Sequence, residues 1–162
     1  MVLVLGYVFF KIFSGAGNEE HPVMLSDTLT ADGICTISAK NYTNILKTVH
    51  GDVDTYVGMK ISFVGYVYRV TDLEENQFIL ARNMIVSSDG KCLVVGFLSQ
   101  SENAKDFEDD TWVEIIGEIT KGDYHGTMPI IKITEMKKVD KPNEEFVYPA
   151  DESYIPTSSV LW

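Results

Sequence analysis

The chain has 162 residues, 45% hydrophobic and 23% charged, a composition typical of one globular domain with room for extensions. Its 24 acidic and 13 basic residues give a net charge of −11. This excess argues against a nucleic-acid partner, which is bound largely by neutralising phosphates, and against an acidic membrane surface. Two cysteines, with no CxxC pair, exclude a disulfide framework. One bridge between Cys35 and Cys92 and two separate buried thiols both remain open, and we expect the second.

The first segment, residues 1–25, combines an apolar stretch with a polar linker. The sequence MVLVLGYVFFKIF is apolar apart from Lys11. As a helix it would span only about 20 Å, less than the ~30 Å hydrocarbon core of a bilayer. It also lacks the basic region and cleavage site of a secretory signal. Three interpretations are open: the remnant of a membrane helix, a packed strand, or a helix that binds a partner. We favour the membrane anchor, because the polar sequence GAGNEEHP follows it.

The predicted domain, residues 26–140, begins with a short strand and a helix. The sequence GICTISAK at 33–40 predicts the strand. At 41–51 the apolar residues recur at helical spacing and share one face: Tyr42, Ile45, Leu46 and Val49. Gly51 suits the C-terminal cap of this helix.

Five strands follow, separated by turn sequences such as DLEEN, SSDG and KGDYHG. Their predicted bounds are Lys60–Val70, Gln77–Val86, Lys91–Leu98, Trp112–Ile119 and Ile130–Lys137. The polar run SENAKDFEDD, between the third and fourth strands, has room for a short helix.

This order of elements predicts the fold class. Five antiparallel strands with a helix between the third and fourth are typical of an OB-fold. The similar sequences ISFVGYV and VEIIGEI would be the first and fourth strands, which are neighbours in that barrel. Their glycines, Gly65 and Gly117, would permit the strong coiling that closure requires. We therefore predict a mainly β fold: an OB-fold-like five-stranded Greek-key barrel with a short helix between strands three and four and an N-terminal helix. The alternative is a meander or sandwich in which both glycines mark ordinary bulges.

Residues 141–162 are predicted to form an extended C-terminal tail, since they hold three of the five prolines and show no sustained periodicity. We expect four aromatic residues to hold the tail against the domain: Phe146, Tyr148, Tyr154 and Trp162. A partly ordered linker is the alternative.

Residues suited to catalysis or metal binding are few. The candidate metal ligands His21, His50, His125, Cys35 and Cys92 do not occur at ligand spacing. His50 and His125 are the residues we would assign to a metal if one were bound. No nucleophile motif is present, and we predict no catalytic residue and no cofactor.

The chain has only two arginines, Arg69 and Arg82, at the ends of adjacent predicted strands. A guanidinium offers two parallel donors to a carboxylate or another anion. Together with Ser87, Ser88 and Cys92 in the next loop, these arginines are the predicted ligand-binding residues. The alternative for the arginines is a salt bridge within the domain.

Three sequence motifs occur in this order: GYVYR, NQFILAR and DDTWVEIIG. They resemble the C-terminal domain of the YcgQ-like family of bacterial predicted membrane proteins, from about Ile37 to about Lys141. The resemblance implies an N-terminal membrane portion, a globular domain outside the lipid and a permease as partner. Where such proteins carry a Cys-Cys pair after the A-R motif, this chain has Ser87 and Ser88. This departure puts in doubt any metal or redox role that the paired thiols serve.

From these observations we expect a non-catalytic accessory or binding domain of a membrane-associated permease-type system, with the domain on the extracytoplasmic side. The alternative is an envelope protein that binds a ligand or a metal. A binder of single-stranded nucleic acid, stacking bases on residues such as Tyr66, Tyr68 and Trp112, is disfavoured by the net charge.

Overall fold

The computed structural model describes residues 33–149. The predictions made for residues 1–25, and for Tyr154 and Trp162, lie outside this range. Within it the chain forms these elements: β1 Ile34–Thr36, α1 Tyr42–Gly51, α2 Val53–Tyr56, β2 Lys60–Tyr68, β3 Gln77–Ile85, β4 Cys92–Gln100, a 3-10 helix Ala104–Asp106, β5 Trp112–Asp123, β6 Thr127–Lys138 and β7 Phe146–Val147. None of the described helices is long and apolar enough to cross a membrane.

Strands β2 to β6 close into a ring. β2 pairs antiparallel with both β3 and β5, β3 pairs antiparallel with β4, and β5 pairs antiparallel with β6. A parallel pairing between β4 and β6 completes the ring. With the 3-10 helix between β4 and β5, this is the topology of an OB-fold, as predicted. β5 and β6 are longer than predicted because their ladder continues to the pair Asp123–Thr127.

The two glycines that suggested the barrel lie on neighbouring strands. Gly65 on β2 pairs with Val113, and Gly117 on β5 pairs with Ile61. A Cβ atom at Gly65 would lie 2.8 Å from the carbonyl oxygen of Ala81. Gly117 lies at a register shift between β5 and β6, where a bulge bends the strand. The glycines therefore allow the close strand approach and the coiling that the ring needs.

Helix α1 covers the core of the barrel with its apolar face. The four residues predicted for this face, Tyr42, Ile45, Leu46 and Val49, are at most 1% exposed. The helix includes Gly51, and its C-terminal cap is the next residue, so the predicted capping role of Gly51 is wrong.

The C-terminal segment is held differently from the prediction. β7 pairs in parallel with β3 at Asn83 and Met84. Val147 is fully buried, whereas Phe146 and Tyr148 are 38% and 63% exposed. Because alternate side chains of a strand point to opposite faces, only the middle residue of this segment reaches the core. The prediction that Phe146 and Tyr148 anchor the tail is therefore wrong.

Candidate functional site

Arg82 is a buried cation that holds main-chain carbonyl groups. It is only 4% exposed. Its Nε donates to the carbonyl oxygen of Val64 at 2.8 Å, and its Nη1 donates to that of Glu144 at 2.6 Å. The guanidinium carbon lies 5.7 Å from the ring centre of Tyr42 and 5.3 Å from that of Trp112. Burial lowers the pKa of Arg82. The residue connects β2, β3 and the C-terminal segment.

Arg69 holds the irregular segment that includes the 3-10 helix. Its Nη2 donates to the carbonyl oxygens of Ala104 at 2.5 Å and Phe107 at 2.8 Å. Its Nη1 forms a salt bridge with Asp109 at 2.7 Å. The structure therefore places Arg69 in the alternative role, a contact within the domain.

The structure does not bring the five predicted ligand-binding residues together. Because Tyr68 pairs with Ile79, Arg69 lies beside the beginning of β3. The hairpin that contains Ser87, Ser88 and Cys92 follows the other end of β3. The predicted surface is thus divided between the two ends of this strand.

Ser87 and Cys92 form side-chain hydrogen bonds within the hairpin. The Ser87 hydroxyl donates to Asp89, and the thiol of Cys92 donates to the carbonyl oxygen of Gly90 at 3.5 Å. Cys35 is fully buried, whereas Cys92 is exposed, and no disulfide joins them. The expectation of two buried thiols is therefore right for Cys35 and wrong for Cys92.

The two histidines that the structure describes are in separate places. Nδ1 of His50 lies 2.8 Å from the carbonyl oxygen of Leu46, and the imidazole stacks on Phe97 with ring centres 5.4 Å apart. Burial lowers the pKa of His50 to about 4. His125 instead lies in the turn between β5 and β6. Within residues 33–149 no three His, Cys, Asp or Glu side chains converge on one point.

A polar bridge that the sequence did not reveal connects two loops of the barrel. Asp72 lies between β2 and β3, and Tyr124 and His125 lie between β5 and β6. Tyr124 donates its hydroxyl to Oδ1 of Asp72 at 2.8 Å, and Nε2 of His125 lies 3.1 Å from Oδ2. The Tyr124 hydrogen bond and, to a smaller extent, the His125 contacts lower the pKa of Asp72. Loops at these two positions flank the ligand-binding face in OB-folds. The predicted barrel topology would therefore have been enough to predict that these two loops lie close together.

Between these loops, the surface of the barrel carries an apolar row. Tyr68, Ile79, Leu98 and Ile130 lie side by side on four strands, since each pairs with the next. Their chain neighbours on the opposite face point into the core and are at most 1% exposed: Val67, Phe78, Leu80, Phe97 and Ile131. We call these four residues the outer row. Three of them are half-buried, and Leu98 is 2% exposed.

Two kinds of polar residue border the outer row. On one side, Gln77 and Gln100 are paired with each other, and Gln100 is paired with Lys132. On the other side, Tyr66 donates its hydroxyl to the amide oxygen of Asn83 at 2.5 Å. Burial is the main cause that raises the pKa of Tyr66 to about 12. The row and its border therefore offer apolar area, amides and hydroxyl groups, with a single lysine.

Comparisons with solved structures return small domains that match about half of this chain. An OBody bound to hen egg-white lysozyme has a TM-score of 0.34 and 16% identity, covering 52% of this chain and 98% of that one. The small single-stranded DNA-binding protein from Streptomyces coelicolor has a TM-score of 0.34 and 16% identity, covering 51% and 93%. The N-terminal domain of PriB protein from Thermoanaerobacter tencongensis has a TM-score of 0.34 and 13% identity, covering 50% and 96%.

Sequence comparisons assign the family. UPF0703 protein YcgQ of Bacillus subtilis (strain 168) is 26% identical over 106 residues, which are 64% of this chain and 37% of that protein. The chain thus spans well under half the length of this relative. The family model of the DUF1980 C-terminal domain matches residues 14–149. The chain therefore belongs to the DUF1980 C-terminal domain family.

Proposed function

We propose that the domain is a non-catalytic binding module of a membrane-associated, permease-type system, and that the outer row is its contact surface for the permease. The observation that carries this proposal is the row itself, because Tyr68, Ile79 and Ile130 offer partly exposed apolar area on either side of the buried Leu98, across four strands. This is the face through which OB-folds bind their ligands. An apolar row with amide neighbours suits a protein surface better than a phosphate backbone.

The arginines support a binding role without chemistry. Arg69 and Arg82 are the groups best suited to fix an anionic substrate, and both donate to main-chain carbonyl oxygens within the fold. With the C-terminal segment in place, the guanidinium of Arg82 is also buried and its donors are occupied. Recognition by this domain then relies on the shape and apolar area of its surface.

One feature supports the membrane setting: the sequence MVLVLGYVFFKIF has the apolar composition of a segment that enters lipid. In this proposal the apolar segment tethers the barrel to the membrane on the extracytoplasmic side. The permease is a neighbour in the same membrane, where tethering raises the effective concentration of the two partners.

The proposal is tested by affinity purification from membranes of the source organism with the tagged full-length chain. We expect a permease-type membrane protein to co-purify and the tagged chain to sediment with the membranes. Ile79→Glu places a charge in the centre of the outer row and should lower recovery of the permease at least tenfold.

Val57→Glu is the matched control, because Val57 is a 47% exposed residue between α2 and β2, outside the outer row. It should leave recovery unchanged, and circular dichroism with thermal unfolding should show that both variants fold. A wholly soluble distribution would remove the tether. Equal recovery with both variants would remove the outer row as the contact surface. A salt-sensitive shift with an oligonucleotide would favour nucleic-acid binding instead.

A further inference from the structure

The C-terminal segment Glu144 to Tyr148, which we call the strap, lies in a slot beside β3. β3 pairs with β2 only over Ile79–Ala81, so the next part of β3 has β4 on one side alone. The strap covers part of this edge by pairing at Asn83 and Met84. An uncovered strand edge is a template for pairing with another chain.

The slot recognises the strap mainly through its main chain. Nη1 of Arg82 donates to the carbonyl oxygens of Glu144 at 2.6 Å and Glu145 at 3.5 Å. The hydroxyl of Thr43, in the first turn of α1, donates to the carbonyl oxygen of Tyr148 at 2.5 Å. These contacts require an extended backbone and are indifferent to the side chains that the segment carries.

Only one side chain of the strap is selected by the slot. Val147 is fully buried against the core, whereas Phe146 and Tyr148 on either side are 38% and 63% exposed. The slot therefore fits an extended segment with one β-branched residue at the position of Val147. This combination of main-chain pairing and a single side-chain pocket is typical of peptide recognition by strand addition.

The strap is held weakly compared with the barrel strands. It has two ladder pairs with β3, hydrogen bonds from Arg82 and Thr43, and one buried side chain, and these gains are set against the conformational entropy of ordering five residues. Segments with so little burial open locally while the remaining structure stays folded. Arg82 and Thr43, by contrast, are fixed on β3 and α1, so the slot keeps its shape when the strap leaves.

We propose that the slot is a strand-acceptor site, which takes an extended segment of a partner protein in exchange for the strap. The incoming segment pairs in parallel with β3, presents its carbonyl oxygens to Arg82 and Thr43, and places a β-branched residue in the Val147 pocket. The assignment is independent of the outer row and of whether the partner is a permease.

The test uses the full-length chain and a labelled peptide with the sequence KPNEEFVYPA, residues 141–150. Val147→Asp in the chain weakens its own strap but leaves the slot intact. By fluorescence anisotropy we expect the peptide to bind this variant at least tenfold more tightly than it binds the wild-type chain. A peptide that itself carries the Val147→Asp change should not bind, and adding Arg82→Lys to the variant chain should weaken binding at least fivefold.

Hydrogen exchange on the wild-type chain makes the test independent of how Val147→Asp folds. We expect the amide protons of the strap to exchange at least 100-fold faster than those of the β3–β4 ladder, and faster again when the unlabelled peptide is added. The proposal is overturned if the strap exchanges only with global unfolding, or if a folded Val147→Asp chain binds no peptide. It is also overturned if strap exchange yields only dimers of this chain, since the acceptor would then serve a second copy.

Discussion

Replacing Arg82 by lysine should destabilise the folded chain at least as much as replacing it by methionine. The guanidinium makes two strong hydrogen bonds, 2.8 Å to Val64 and 2.6 Å to Glu144. Hydrogen bonds from a charged group contribute about 1.5–3 kcal/mol each. Two aromatic rings within 6 Å of the cation add about 0.5–2 kcal/mol each.

These gains are opposed by the cost of burying the charge, which is several kcal/mol for an ion in a protein interior. Methionine loses the hydrogen bonds but also removes this cost, so we expect Arg82→Met to lower the free energy of unfolding by only about 1–3 kcal/mol. Lysine retains a buried, more strongly hydrated charge, and its single ammonium cannot occupy both donor positions of the planar fork. For Arg82→Lys we therefore expect a loss of about 2–4 kcal/mol.

The assay is urea denaturation at neutral pH, with midpoints compared at equal slopes. Lys91→Met is the control, because the Lys91 side chain is 77% exposed and its replacement should change the free energy of unfolding by less than about 0.5 kcal/mol. The reasoning is refuted if Arg82→Lys matches the wild type. It is equally refuted if Arg82→Met is the less stable variant by more than about 1 kcal/mol, since the lost hydrogen bonds would then outweigh the relief of desolvation.

Three further predictions follow from particular contacts. Because the folded chain holds the pKa of His50 at about 4, against 6.5 unperturbed, the unfolded chain takes up a proton as the pH falls through this interval. When the pH is lowered from 7 to 5, the free energy of unfolding of the wild type should therefore fall by about 2 kcal/mol more than that of His50→Gln. Equal changes in the two proteins would contradict this. Gly117→Ala would place a Cβ 2.8 Å from the carbonyl oxygen of Lys132, so calorimetry should show a lower Tm, with a loss of about 1–3 kcal/mol. Arg69→Met should speed amide exchange in residues 104–109 while leaving the β3–β4 ladder protected, and an unchanged exchange rate would show that Arg69 does not hold this segment.

The barrel could be predicted because its signals are local. Alternating apolar residues define strands, helical spacing defines α1, and the order of elements leaves few topologies. Gly65 and Gly117 gave the one long-range hint, since two similar strands with matching glycines suggested neighbours. The end of β5 was missed because the ladder continues through the polar residues 120–123, which carry no apolar alternation. The start of β6 was missed because the ladder there includes Pro129, a residue that argues against a strand.

The candidate site was predicted less well because its contacts are long-range. The sequence shows that Arg69 and Arg82 are the last residues of two motifs. Their hydrogen-bond acceptors, however, are main-chain carbonyl groups, which every residue has and which no sequence pattern identifies. For a similar reason, the sequence did not predict that the tail is held by Val147 rather than by Phe146. The choice depends on the register between the tail and β3, and a shift by one residue exchanges the buried and exposed faces.

The use of the arginines is also consistent with the apolar contact surface that we propose for this acidic chain. The chain has 24 acidic residues with which its two arginines could pair, yet among the described residues Arg69 is the only arginine in an ion pair. Both arginines donate chiefly to carbonyl groups of segments that lack a full β-ladder. Exposed ion pairs contribute little, whereas an unbonded carbonyl group in a buried loop is costly. The arginines are thus most useful where the ladder ends, and the excess negative charge stays on the surface. In the two proposals made here, that charge keeps copies of the domain apart, and the outer row and the strap slot take partners that bring apolar side chains or an extended backbone.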